Sequence, residues 1–114
     1  MRARHWLVRC LRVWGFGELV PTLEVAVGEV FTNAVSHGAG PIEVVLAELA
    51  DRLRVEVRDQ GGGHPAIRPV QISGPEVGGW GLRLVDELVD SWGAEVSAGS
   101  TTVWVEHALP TRNT

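Results

Sequence analysis

Between Arg52 and Arg58 the chain reads RLRVEVR, an unbroken alternation of charged and aliphatic residues. Successive side chains on a β-strand point to opposite faces, so this pattern gives one face to a core and the other to water. A strand wrapped by helices on both sides would need a continuous apolar run instead. Leu53, Val55 and Val57 therefore predict a sheet covered on one face only, and the covering layer has to come from the rest of the chain.

Helical periods supply that layer. From Ala3 to Trp14 the residues Ala3, Trp6, Leu7, Cys10, Leu11 and Trp14 recur at three- and four-residue steps, with Gly15 and Gly17 closing the segment. A second helix is predicted from about Pro21 and Thr22 to His37, with Leu23, Ala26, Val27, Val30, Phe31 and Ala34 on its apolar side and Gly38 as a C-terminal stop. The stretch PIEVVLAEL pairs with Arg52–Arg58 as a β-hairpin across an Ala50–Asp51 corner. A long aperiodic segment opens with DQGGGHP, as expected of a functional lid or a disordered segment. A third helix is predicted from about Leu82 to Ser91, burying Leu82, Val85, Leu88 and Val89 and ending at Gly93. AEVSAG and TTVWVEHAL form a closing hairpin around Gly99 and Ser100. The expected fold is α+β, a two-layer sandwich with helices on one face of a mixed, mainly antiparallel sheet. It occupies residues 1–109 as one domain, and 110–114 form a polar tail.

Composition removes several function classes. In 114 residues no apolar run approaches the roughly 18 needed to span a membrane, and the opening segment lacks a signal-peptide cleavage pattern, so a cytoplasmic protein with no membrane partner is expected. The single Cys10 excludes an intrachain disulfide and a thiolate zinc cluster, and its place on the apolar stripe predicts a core residue. All ten basic residues are arginine, which excludes a Schiff-base lysine and a lysine-bearing phosphate loop. A formal net charge of −4 argues against a nucleic-acid partner and leaves Arg2, Arg4, Arg9 and Arg12 as a solvated helix face.

Three polar clusters then need a role. Glu29 and Asn33 stand four apart on the second helix, so a carboxylate and an amide oxygen share one face, an arrangement suited to a hard cation such as magnesium. Asp59 lies where a strand breaks into glycines, where it could accept a hydrogen bond from the exocyclic amine of a base. Gly79 and Gly81 open a helix whose free N–H groups and dipole attract phosphate. Taken singly, each has an ordinary explanation: a solvated stripe, a turn aspartate, a flexible helix entry.

In this order and spacing the clusters resemble the nucleotide-binding boxes of the GHKL (Bergerat-fold) ATPases. EVFTNAVSHG resembles the N box E-x-x-x-N-A-x-x-H-G, DQGGG the first glycine box D-x-G-x-G, and GWGL the second, G-x-G-L. Within the superfamily, the short length and the stretches LVDELVDSWG and TTVWVE are most similar to anti-sigma-factor serine/threonine kinases. The resemblance implies ATP and Mg2+ as cofactors, with Asn33 as the metal ligand and Glu29 as the general base. It places Asp59 on the adenine amino group, Gly61 and Gly63 around the adenine, and Gly79, Gly81 and Leu82 at the phosphates. Thr102 corresponds to a threonine near adenine, and His37 is structural.

The implied activity is phosphorylation of an anti-anti-sigma (STAS) antagonist, with a sigma factor as second partner, so that transcription is regulated by partner switching. The alternatives are an ATP-gated binding module of weak catalytic power and the ATPase domain of a two-component histidine kinase. Two departures from the family pattern stand out. Trp80 replaces an arginine often found between the glycines of the second box, with Arg68 as a substitute cation in the loop. The family usually begins with an extra strand, used for dimer pairing, before the first helix, whereas Met1 lies almost at that helix, so the resemblance leaves a homodimer open. Of the five tryptophans, Trp6, Trp14, Trp92 and Trp104 are expected in core or edge packing and Trp80 exposed.

Overall fold

A computed structural model of the chain describes residues 2–37, 40–60, 77–97 and 99–110. The first helix, α1 (Arg2–Val13), stops in a glycine-dependent cap. Gly15 adopts φ 87°, its amide donates to the Arg12 carbonyl at 3.1 Å, and the Phe16 amide reaches back to the Leu11 carbonyl at 2.7 Å. That turn drives Phe16 into the core. A short 3₁₀ turn, Gly17–Leu19, which the apolar pattern did not announce, leads straight into α2 (Val20–His37). Pro21 falls in the first turn of α2, where a missing N–H costs nothing.

Strands β1 (Glu43–Glu48) and β2 (Arg52–Asp59) form the expected hairpin, with Val44 opposite Val57 and Leu46 opposite Val55. Helix α3 (Val77–Leu88) is followed by β3 (Ser91–Ser97) and β4 (Ser100–Ala108). The sheet order is β1-β2-β4-β3, and every pairing among the described residues is antiparallel. Two boundaries differ from the sequence reading. Helix α3 begins five residues before Leu82 and ends at Leu88. Ser91, Trp92 and Gly93, read as the helix end and its stop, belong to β3, where Trp92 pairs with Val105 and Gly93 with Trp104.

The helices lie on one face of the sheet. Leu53, Val55, Val57, Val103 and Val105 meet Leu7, Leu11, Leu23, Val27, Val30 and Val85 in a single core, all below a tenth exposed. Cys10 is half-buried at its margin. Among the described residues the other face carries a charge network and no second layer. Glu106 accepts from Arg52 at 2.8 Å and from Arg54 at 2.7 Å, and those two donors hold its carboxyl below the usual range. The Arg54 guanidinium lies 4.6 Å from the centre of the Trp104 ring. Trp92 packs against the core while its indole N–H donates to Asp86 at 2.9 Å, but Trp6 and Trp14 are more than a third exposed, against expectation. Both sit on or just past α1, whose inward positions are already taken by Leu7 and Leu11. Among the described residues no helix is long and apolar enough to cross a membrane.

Candidate nucleotide site

Helix α2 lies centrally, packed against α1, α3 and the underlying β2 and β4. Its Glu24 pairs with Arg4 of α1 at 3.7 Å, and Glu24, Gly28 and Phe31 line a crevice shared with α1 and Val44. At 3.6 residues per turn, Glu29 lies about 140° and Asn33 about 180° around the axis from Glu24. Both therefore leave α2 on the flank away from α1. Helix α3 contacts α2 and β3, at the far side of the sheet from β1, so this is the α3 flank. Glu29 and Asn33 are half-buried there, at the edge of the apolar face formed by Ala26, Val30 and Ala34.

The end of the sheet nearest this flank is fixed by register. Glu43 pairs with Arg58, Asp59 with Thr101 and Ser97 with Ser100, so the start of β1 and the ends of β2 and β3 are level. The chain leaves α2 at this same end. Gly40, with φ 73°, lies so close to Gln60 that an added Cβ would stand 2.8 Å from the Gln60 Cβ. Asn33 is thus about one turn from the end of α2 that meets the end of β2. At the opposite end the Asp90 amide donates to the Glu106 carbonyl at 3.0 Å, anchoring the C-terminus of α3. Twelve helical residues span about 18 Å, and packing of α3 along α2 directs its start toward the Asp59 end. One end of the domain therefore gathers the second half of α2, the terminus of β2 and the start of α3.

Asp59 is 1% exposed and points to the helix-covered face, in phase with Val55 and Val57. Thr101, opposite it, is 2% exposed on the same face. Thr102 is not brought to this place. It points to the open face, where its Oγ1 accepts a hydrogen bond from Arg58 Nε at 3.2 Å. The threonine beside Asp59 is Thr101, a correction that follows from strand parity: Val103 and Val105 turn inward, and so does Thr101. That signal was present in TTVWVE. Gly79 and Gly81 lie inside the first turns of α3 rather than before it. In a helix that starts at Val77 the Gly79 N–H lacks an intrahelical acceptor, while the Gly81 N–H faces the Val77 carbonyl. Leu82 follows on the same helix. Gly61, Gly63, Arg68 and the polar tail from Thr111 lie outside the described residues, as do the side chains of His37 and Trp80.

The donor set matches what the expected ligands need. Half-buried oxygen donors one turn apart suit a magnesium ion. A carboxylate buried at a strand end suits a fixed hydrogen bond from an amine, and a helix start suits phosphate.

Residues 1–106 match the family model described as the histidine kinase-like ATPase domain. The chain belongs to that family. Its fold is shared with the Acinetobacter baumannii histidine kinase AdeS, at 13% identity and TM-score 0.63 over 81% of this chain and 48% of that one. It is shared likewise with the histidine kinase domain of the blue-light activated histidine kinase from Erythrobacter litoralis EL346, at 23% identity and TM-score 0.61 over 82% of this chain and 46% of that one. The chain thus spans about half the length of these solved structures. No curated protein sequence matches it. The family and the fold place the chain in the GHKL superfamily, as a histidine kinase-like ATPase domain.

Proposed function

We propose that this ATPase domain binds ATP with one magnesium ion between α2 and the start of α3, over the end of β2. It would then phosphorylate a serine or threonine of an anti-anti-sigma (STAS) antagonist and regulate a sigma factor by exchange of partners. The observation that carries the nucleotide reading is the convergence of the Glu29 and Asn33 flank, buried Asp59 and the α3 N-terminus at one end of the domain. The choice of protein substrate rests on the resemblance of the sequence alone.

In this reading Asp59 accepts the adenine amino group, with Gly61 and Gly63 shaping the pocket and Thr101 beside it. The Asn33 amide oxygen holds the metal, and the free N–H at Gly79 in the first turn of α3 meets the phosphates, with Gly81 and Leu82 lining the approach one turn further on. Bound magnesium supplies charge neutralisation of the triphosphate, which a site without lysine requires. Glu29 takes the proton from the attacking hydroxyl as its oxygen bonds to the γ-phosphorus and ADP departs.

A second reading, the ATPase domain of a two-component histidine kinase, has equal support from the family and from the two structural neighbours. Incubation with γ-labelled ATP and candidate acceptors separates the two. Acid-stable label on a STAS-type protein supports the serine/threonine kinase, acid-labile label on a histidine supports the second reading, and bound but intact ATP leaves a nucleotide-gated module. In any transferring case Glu29→Gln should abolish labelling while preserving ATP affinity. Full labelling by that variant would remove Glu29 as the base.

A further inference from the structure

Charge is unevenly placed on this domain. Four of the ten arginines lie in α1, and all fourteen acids lie outside it. The dipole of α1 does not account for Arg2 and Arg4, because cations near a helix N-terminus oppose it. Arg4 is balanced by Glu24. Arg9 and Arg12 are exposed and have no ion pair among the described residues. The position of Arg12 in the last turn favours the helix electrostatically, but Arg9 has no such role.

These two arginines border a shallow cavity of about 400 Å³, lined by His5, Val8, Arg9, Arg12, Val13 and Glu24. Trp6, Arg9 and Val13 follow one another at three- and four-residue spacing and so share one side of α1, with Trp6 38% and Val13 77% exposed. Tryptophan and arginine are the residue types that dominate binding energy at protein interfaces, and the guanidinium fork matches a carboxylate through two parallel hydrogen bonds. The concave shape suits an inserted segment better than a flat bilayer. The acidic remainder of the domain also repels an anionic membrane.

We infer that this face of α1 docks an acidic segment of a partner protein, its carboxylates pairing with Arg9 and Arg12 and an apolar neighbour covering Val13 and Trp6. The inference stands apart from the nucleotide reading, because the face lies on the α1 side of α2, away from Glu29 and Asn33. Partner and nucleotide could then bind together.

The test uses the full chain without nucleotide and three fluorescein-labelled amphipathic peptides. One carries glutamates along one face and leucines along the other, and its two counterparts carry glutamine or lysine for glutamate. By anisotropy the glutamate peptide should bind the parent at least about tenfold more tightly than the glutamine peptide, and more weakly as salt rises. The double variant Arg9→Glu/Arg12→Glu should lose at least about tenfold for the glutamate peptide and gain affinity for the lysine peptide, with its ATP affinity unchanged. Should that variant fail to fold, Arg9→Ala/Arg12→Ala retains helix formers and should show the loss without the gain. Equal binding of the glutamate peptide by parent and variant, or no binding by the parent, overturns the inference. So does binding of the parent to phosphatidylserine vesicles in preference to the peptide.

Discussion

Replacing Gly93 with alanine should destabilise the domain, although alanine is normally the better strand residue. An added Cβ at Gly93 would stand 2.7 Å from Trp104 Cζ2, 3.0 Å from Cε2 and 3.2 Å from Nε1, well inside ordinary carbon contact. The indole would have to move by most of an ångström, and it is not free to do so. Arg54 lies over its face at 4.6 Å and is itself bonded to Glu56 at 2.8 Å and Glu106 at 2.7 Å. Overpacking of this kind costs about 1–3 kcal/mol, and loss of the cation–π contact adds about 0.5–1 kcal/mol. Removing the glycine's excess unfolded-state entropy returns about 0.5–1 kcal/mol. The net expectation is a loss of about 2 kcal/mol, or a fall in Tm of roughly 8 °C for a domain of this size. Thermal unfolding followed by circular dichroism measures it, and the same change in a Trp104→Leu background should cost at least about 1 kcal/mol less. An alanine variant as stable as the parent would refute the packing of Trp104 across Gly93.

Gly28 presents the opposite case. It lies inside α2, and an added Cβ would meet only Arg4 Nη2 at 3.8 Å, so Gly28→Ala should raise stability by about 0.5–1 kcal/mol. A lower Tm would show that α1 approaches α2 too closely for a methyl group. Acid should weaken the open-face network in a defined window. Hydrogen bonds from Arg52 and Arg54 lower the Glu106 pKa in the folded state, so its contribution is complete above the ordinary glutamate value of about 4.3 and is lost as pH falls through the lower folded value. Glu106→Gln should therefore be less stable than the parent at neutral pH, with the gap in Tm closing in acid. A gap that stays constant into strong acid would count against these ion pairs.

The alternation in RLRVEVR foretold which face of β2 is covered, and α2 kept its predicted C-terminal end because its apolar period is continuous from Leu23 to Ala34. The errors have local causes. Gly78, Gly79 and Gly81 weaken the helical signal, so the pattern predicts a start for α3 at the first aliphatic residue after them, although the helix begins at Val77. Gly93 has the local signature of a helix stop, whereas its lack of a side chain serves the indole lying across it from β4, a long-range contact that local sequence does not carry. Thr101 and Thr102 differ by one residue, which on a strand means opposite faces, and only the inward phase of Val103 and Val105 separates them. The meeting of Asn33, Asp59 and the α3 start depends on the sheet order β1-β2-β4-β3, which the three motifs imply only through their resemblance to a known family.

Calorimetric titration of ATP with magnesium into the parent chain and Asp59→Asn tests most directly whether these clusters form one nucleotide site. The buried carboxylate should contribute a charge-assisted hydrogen bond worth about 1.5–3 kcal/mol, so the amide should weaken binding by roughly ten- to a hundredfold without a loss of fold. ATP bound equally well by both proteins would contradict the account.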